Sequence, residues 1–361
     1  MMKSIYKIAF LLLLIPSIAL ANNDNDGKKH EKSKSISKSY DVNSNATLSI
    51  SNRYGDINVT SWNQNRIEID VKITVKGNDL DDVEERLEKI KVEFNASSSL
   101  VEAKTILGSK SSWNIWKKSK NISYKINYTV KMPVTNDANL NNDYGSISLD
   151  ELEGEANINC DYGKITIGDL KGNNSTINLD YCSSSTIDSM KDGDVNIDYS
   201  RLSIDKATDL DLNTDYSTVK IKELEDLSFN TDYGSIEVDK VTNASGNGDY
   251  AGLKFGTVKK NLKIVSDYGS IRIKDLAKGF ENVDIRSEYA GIKIGTSTDN
   301  NFSFVIDLQY AGFKRNNDNI EMFKSIVKNT KKYYEGVYGK GKSNSKITIK
   351  SEYGSVALYE N

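Results

Sequence analysis

Carboxylates and phenols stand side by side along most of this 361-residue chain. The pairs are Asp143–Tyr144, Asp161–Tyr162, Asp180–Tyr181, Asp198–Tyr199, Asp215–Tyr216, Asp232–Tyr233, Asp249–Tyr250 and Asp267–Tyr268, followed by Tyr289 behind Glu288, then Tyr310 and Tyr353. Recurrent acids suit two chemistries. One is an oxygen cage for Ca²⁺; the other is acid–base cleavage of a glycosidic bond by a pair of carboxylates. The Ca²⁺-binding β-roll pattern Gly-Gly-x-Gly-x-Asp is absent from the sequence. A hydrolytic site needs two or three acids gathered in one groove, whereas these repeat evenly, as a structural role requires. The reading is therefore two structural ladders. Each Asp caps its own turn, with bound Ca²⁺ as the alternative. Each Tyr packs at a corner, with an aromatic strip for sugars or surfaces as the alternative. No residue is assigned to catalysis, to a cofactor or to a metal.

Other reactive groups are scarce. The only His is His30, which removes His-based triads and metal sites. Cys160 and Cys182 fall three positions apart in the repeat, roughly 10 Å along a strand, beyond the ~7 Å reach of a disulfide. Cys160 shares the parity of the core positions and reads as a small buried filler. Lys plus Arg total 48 and Asp plus Glu 51, a net charge of −3. That near balance gives no support for a nucleic-acid binder, which carries a strong basic excess.

The elements that hold these ladders follow from the period. From Tyr144 to Tyr310 the tyrosine recurs in nine steps over 166 residues, about 18 residues each, the mark of stacked repeats. Apolar residues alternate before each Tyr (Leu210 and Leu212, Leu262 and Ile264) and after it (Ile147 and Leu149, Ile271 and Ile273), with one more eight residues on (Leu224, Leu276). Alternation by two predicts short strands with one buried face. The parity flips across the Tyr, so the chain bends there, and Gly, Ser or Ala at the next position suits a tight corner. One repeat cannot cover its own apolar face, but repeats stacked about 4.8 Å apart can. The predicted fold is all-β: a parallel β-solenoid (a β-helix) over residues 135–314, right-handed by the crossover rule.

Residues 41–134 read as a β-rich amino-terminal cap with a helix over 79–92, where Leu80, Val83, Leu87 and Ile90 fall at 3-4-3 spacing behind Asn78 or Asp79 as cap. Residues 315–345 read as a helical insertion (Ile320, Phe323, Ile326 and Val327 at helical spacing) with a Gly-rich loop, and 346–361 as a final coil. Residues 1–21 have the form of a signal peptide: Lys3 and Lys7, an apolar run from Ile8 to Leu20, and Ala19-Leu20-Ala21 before the cut. No other stretch is apolar enough to span a membrane as a helix. Residues 22–40, polar and rich in Lys and Ser, read as a disordered tether.

The stretch TLSISNRYGDINVTSW, the later VKMPV at 130–134 and the repeated DYGSI resemble the bacterial putative-adhesin β-strand-repeat family, over roughly residues 40–361. The resemblance implies an exported β-solenoid of the cell envelope with no assigned catalysis and no functional residue to carry over. The expectation is a non-enzymatic adhesin or surface-interaction protein, in the periplasm or at the cell surface, meeting envelope or host glycans or proteins. A periplasmic scaffold or envelope-stress partner is the alternative, and a polysaccharide-active β-helix enzyme the second.

Overall fold

The computed structural model describes residues 28–108, 121–315 and 319–361. The signal peptide at 1–21, the first part of the 22–40 segment, and Trp113 and Trp116 lie outside the described residues. Met1–Gly163 forms one compact unit and Lys164–Asn361 a second. Both are built of strands, and the described residues contain one α-helix.

The first unit runs β1 (His30–Asp41), β2 (Thr47–Arg53), β3 (Ile57–Trp62), β4 (Arg66–Gly77), α1 (Leu80–Lys89), β5 (Lys91–Ala96), β6 (Leu100–Ile106), β7 (Ile122–Pro133), β8 (Asp137–Asp143), β9 (Ile147–Leu152) and β10 (Ala156–Asp161). The long strands β1, β4 and β7 pair antiparallel. Parallel pairs join β7 to β3, β3 to β9, β6 to β2, β2 to β8 and β8 to β10. β4 alternates as written, with Ile67, Ile69, Val71, Ile73 and Val75 buried. Asp79 caps α1 by accepting from the Asp82 amide at 3.1 Å. The helix ends at Lys89 rather than at 92, because Ile90 turns extended, stays fully buried and leads into β5.

Residues 30–40 correct the tether reading. They are strand, paired with β4 along their whole length from His30↔Gly77 to Asp41↔Arg66. A backbone ladder needs no apolar side chain, so composition missed it, and Lys and Ser suit an outer strand that must not recruit another chain. Lys34 also reaches over the helix end, donating to the carbonyls of Leu87 (2.6 Å) and Ile90 (2.8 Å). Burial lowers its pKa, yet there its charge meets the negative end of the helix.

The second unit runs β11 (Ile165–Leu170), β12 (Ser175–Asp180), β13 (Ser185–Asp198), β14 (Arg201–Asp215), β15 (Thr218–Asp232), β16 (Ser235–Asp249), β17 (Gly252–Leu276), β18 (Asn282–Thr296), β19 (Phe302–Gln309), β20 (Phe313–Arg315), β21 (Ile320–Lys328), β22 (Lys331–Tyr338), β23 (Lys346–Glu352) and β24 (Val356–Glu360). From β13 to β16 every pair is parallel and in register with the repeat, as in Leu202↔Val219↔Ile236. Like therefore lies on like: Leu210 on Leu227, Leu212 on Phe229, Asp215 on Asp232. The buried columns form the core, and bulk is matched between rows. The Phe229 ring lies where a side chain at Gly246 would stand, 2.5 Å from the position of its missing Cβ.

Two findings at the far end depart from expectation. The predicted helical insertion is a β-hairpin, β21 pairing antiparallel with β22, and β22 with β19. A bulge between Met322 and Lys324 adds one residue to β21 and shifts its alternation, and Phe323, Ile326 and Val327 are exposed rather than buried on one helical face. The final coil is last in sequence but not in space. β23 pairs in parallel with β18 on one side and β19 on the other, and β24 likewise lies between β18 and β20. Residues 346–361 are thus wedged between two repeats that precede them.

Candidate functional site

Each repeat tyrosine takes a left-handed backbone, from φ 46° at Tyr216 to φ 61° at Tyr54. Among the described residues twelve tyrosines do so, including Tyr144, Tyr162, Tyr181, Tyr199, Tyr233, Tyr250, Tyr268, Tyr289, Tyr310 and Tyr353. That conformation costs an L-residue about 1–2 kcal/mol, and glycine or asparagine would adopt it more cheaply. The rings show what tyrosine adds. In the second unit nine of them stack in the order Tyr181, Tyr199, Tyr216, Tyr233, Tyr250, Tyr268, Tyr289, Tyr353, Tyr310, with centroids 4.6–5.0 Å apart and planes within 5°. Such pairs contribute about 0.5–1.5 kcal/mol each beyond burial, enough to offset the backbone term. The backbone is fixed as well: the Tyr amide donates across to a neighbouring row, as from Tyr199 to the Asp215 carbonyl (3.1 Å) and from Tyr216 to that of Asp232 (3.0 Å), while at the far end Tyr310 donates to the Thr330 carbonyl (2.8 Å).

The first unit carries a shorter ladder, Tyr54 on Tyr144 (5.1 Å) and Tyr144 on Tyr162 (4.9 Å). Tyr124 closes it edge-on against Tyr54, with the Arg86 guanidinium 4.4 Å above the Tyr124 ring. The sequence ladder did not include Tyr54, although Arg53-Tyr54-Gly55-Asp56 carries the repeat's Tyr-Gly with Arg in place of the usual Asp. Arg53 lies over the carboxylate column, its Nε 2.6 Å from Asp143 Oδ2.

Ring faces are covered by neighbouring rings, so the ladder offers solvent its edges and phenol oxygens. The nine rings of the second unit are each 44–53% exposed. Burial first, then the adjacent phenols and carboxylates, raise the pKa of Tyr199, Tyr233 and Tyr289, so these hydroxyls stay protonated donors. Tyr216→Ala is expected to cost about 1–3 kcal/mol by removing two ring contacts. Tyr216→Gly loses the same contacts but relieves the left-handed backbone, and is expected to cost about 1–2 kcal/mol less. Urea denaturation of both variants, followed by far-UV circular dichroism, checks the order.

The structure places Asp180, Asp198, Asp215, Asp232, Asp249 and Asp267 in one outward column beside the rings. No side-chain bond to their own turns accompanies them, and one oxygen of Asp215 is buried without a partner. Turn capping by these aspartates is therefore not what the geometry provides. The turn is held instead by residues just after the Tyr: Ser217 Oγ accepts from the Ser200 amide (3.0 Å) and donates to the Asp215 carbonyl (2.7 Å). Parallel columns of Asn and Asp run across the same outward face, with Asn213 donating to Asn196 and Asn196 to Asn178 at 3.1 and 3.0 Å. Among the described residues no group of three or more His, Cys, Asp or Glu is arranged to hold a metal ion. Cys160 and Cys182 are buried thiols, Cys160 with its Sγ 3.4 Å from the Gly145 carbonyl. His30 lies at the start of β1.

Crowding of the acids has a measurable sign. Burial, then Asp180 and Asp215, raise Asp198; burial, then Asp226, Asp192 and Asp211, raise Asp209. A raised carboxyl keeps its proton in the fold where the unfolded chain has released it. These groups therefore stabilise the fold as pH falls toward the ordinary value of 3.8, and that contribution is lost as pH rises through their folded pKa values. Asp299, lowered by bonds from Ser297 and Lys278, works in the opposite sense. Asp209→Asn is expected to raise Tm by about 1–3 °C at neutral pH. Melts across the acid range should show the gain vanishing below the carboxylate range.

No family model matches the chain, and no curated protein does. Solved structures resemble it, and they include proteins named putative adhesin. One from Parabacteroides distasonis is 9% identical, covering 91% of this chain and 97% of its own, with a TM-score of 0.38. Another, from Parabacteroides merdae, is 11% identical, covering 92% and 97%, with a TM-score of 0.30. A third, named a putative lipid binding protein and also from P. distasonis, is 13% identical, covering 92% and 97%, with a TM-score of 0.31. At these identities they assign no role to any residue of this chain.

Proposed function

We propose that this chain is an exported, non-enzymatic protein of the cell envelope, working as an adhesin or surface-interaction protein without a cofactor. Its repeats coil as a right-handed parallel β-solenoid whose sides are rigid, regular surfaces. One observation carries the reading: chemistry-bearing groups repeat row after row, with like on like, and do not converge. Asp215 lies between Asp198 and Asp232, flanked by its own kind rather than by a base or a second functional type. Such a lattice suits many weak contacts made in parallel, where affinity comes from number. Export rests on residues 1–21 and their signal-peptide pattern.

Protease treatment of intact cells, with immunodetection of the chain, tests the proposal. Digestion on intact cells is the expected result. Protection until the outer layer is opened would overturn adhesion and leave a periplasmic scaffold or stress-partner role. Release of reducing ends from envelope or host glycans by the purified chain would overturn the non-enzymatic reading.

A further inference from the structure

The tyrosine ladder of the second unit is an exposed aromatic strip with a fixed period, and both properties bear on what covers it. A tyrosine side chain presents about 150–250 Å², so nine tyrosines at 44–53% exposure leave roughly 600–1,200 Å² of ring-edge and phenol surface open. Soluble monomers rarely leave more than a few hundred Å² of contiguous apolar surface uncovered, while a stable interface needs about 800 Å² per partner. The period narrows the partner. Rings spaced 4.6–5.0 Å apart match the strand spacing of β-structure. A partner of any other period falls out of step within a few rows, whereas a second copy of this ladder stays in step over all nine.

We infer that the Tyr181–Tyr310 ladder is a self-association surface, covered by the same ladder of a second copy with the two stacks running in the same direction. Charge sets the direction. The residue before each Tyr is acidic over most rows, and the outward residue two places after it is small and uncharged at Thr218, Ser235, Gly252, Ser270 and Gly291. A two-fold axis across the stacks would bring the two carboxylate columns face to face. A two-fold axis along them sets each acidic column against the partner's small column, and sets Asp198 opposite Arg201 of the partner subunit. Nothing within the chain requires the small residue at Gly291: a Cβ there would meet nothing within 4 Å. The inference goes beyond the adhesin reading and does not depend on where in the envelope the protein lies.

Sedimentation equilibrium of the full chain tests it, with Gly291→Asp and Gly291→Lys beside the parent. The expected result is a dimer at micromolar concentration, within the range such areas span. Gly291→Asp should weaken it by about tenfold or more, with the melting temperature unchanged. Gly291→Lys, of greater bulk but opposite sign, should retain it. A parent that stays monomeric, or an Asp variant that associates as tightly as the parent, would overturn the inference. So would a monomer whose tyrosine emission responds instead to a soluble linear glycan.

Discussion

Ile349→Ala is expected to cost the Lys164–Asn361 unit about 2–5 kcal/mol, the range for a large aliphatic residue removed from a well-packed core. Ile349 is 2% exposed and sits mid-strand in β23, opposite Ile285 of β18 on one side and Ile306 of β19 on the other. Both neighbouring rows lose contacts at once, and neither can close the gap without breaking its in-register ladder. The control is Val327→Ala on β21, where 61% of the residue is already exposed; a surface change of this kind stays within about 0.5 kcal/mol. Urea titrations read by circular dichroism separate the two. Equal midpoints would mean that β23 is not the central strand its pairing describes.

Gly145→Val is expected to destabilise the first unit by more than about 3 kcal/mol, past the usual overpacking range. Gly145 follows the corner tyrosine, and a Cβ there would lie 1.9 Å from the Gly55 carbonyl oxygen. The obstacle is backbone, so no rotamer relieves it. Alanine, which the equivalent column accepts at Ala251 and Ala290, should cost less than valine. Gly291→Ala, where a Cβ meets nothing of the chain within 4 Å, should be neutral to the stability of the second unit. Thermal melts of the three variants check the ranking, and a Gly145→Val protein melting with the parent would show that the rows can slide apart.

Much of this arrangement was legible because the repeat writes one row many times. Strand alternation, the parity flip at Tyr and the vertical columns all follow from the period. The corner was half legible. Small residues such as Gly145 and Gly234 were read as allowing both close approach and unusual dihedrals; the close approach is there, while the left-handed backbone lies on the tyrosine itself. No single-residue preference would place a bulky aromatic there; the stacking that offsets its cost exists only between rows. The hairpin at 320–338 was illegible because β21 buries no apolar face: Phe323, Ile326 and Val327 are exposed and fall on both sides of a bulged strand, so no alternation marks it. The strand at 30–41 was illegible because its stabilisation lies in backbone bonds to β4, which side-chain composition does not record.

The position of residues 346–361 has a consequence for how the chain comes to exist. A polypeptide made or exported from its amino end can lay down rows in order of appearance as far as Tyr289. The next row in sequence, that of Tyr310, cannot then take its final seat, because the row between them has not yet emerged. Either the Tyr310 row waits unseated or it docks early and must later be released. Completion of this end is therefore tied to the arrival of Lys346 and the residues after it. A chain halted before that point would differ from the finished one in the order of its rows as well as in length.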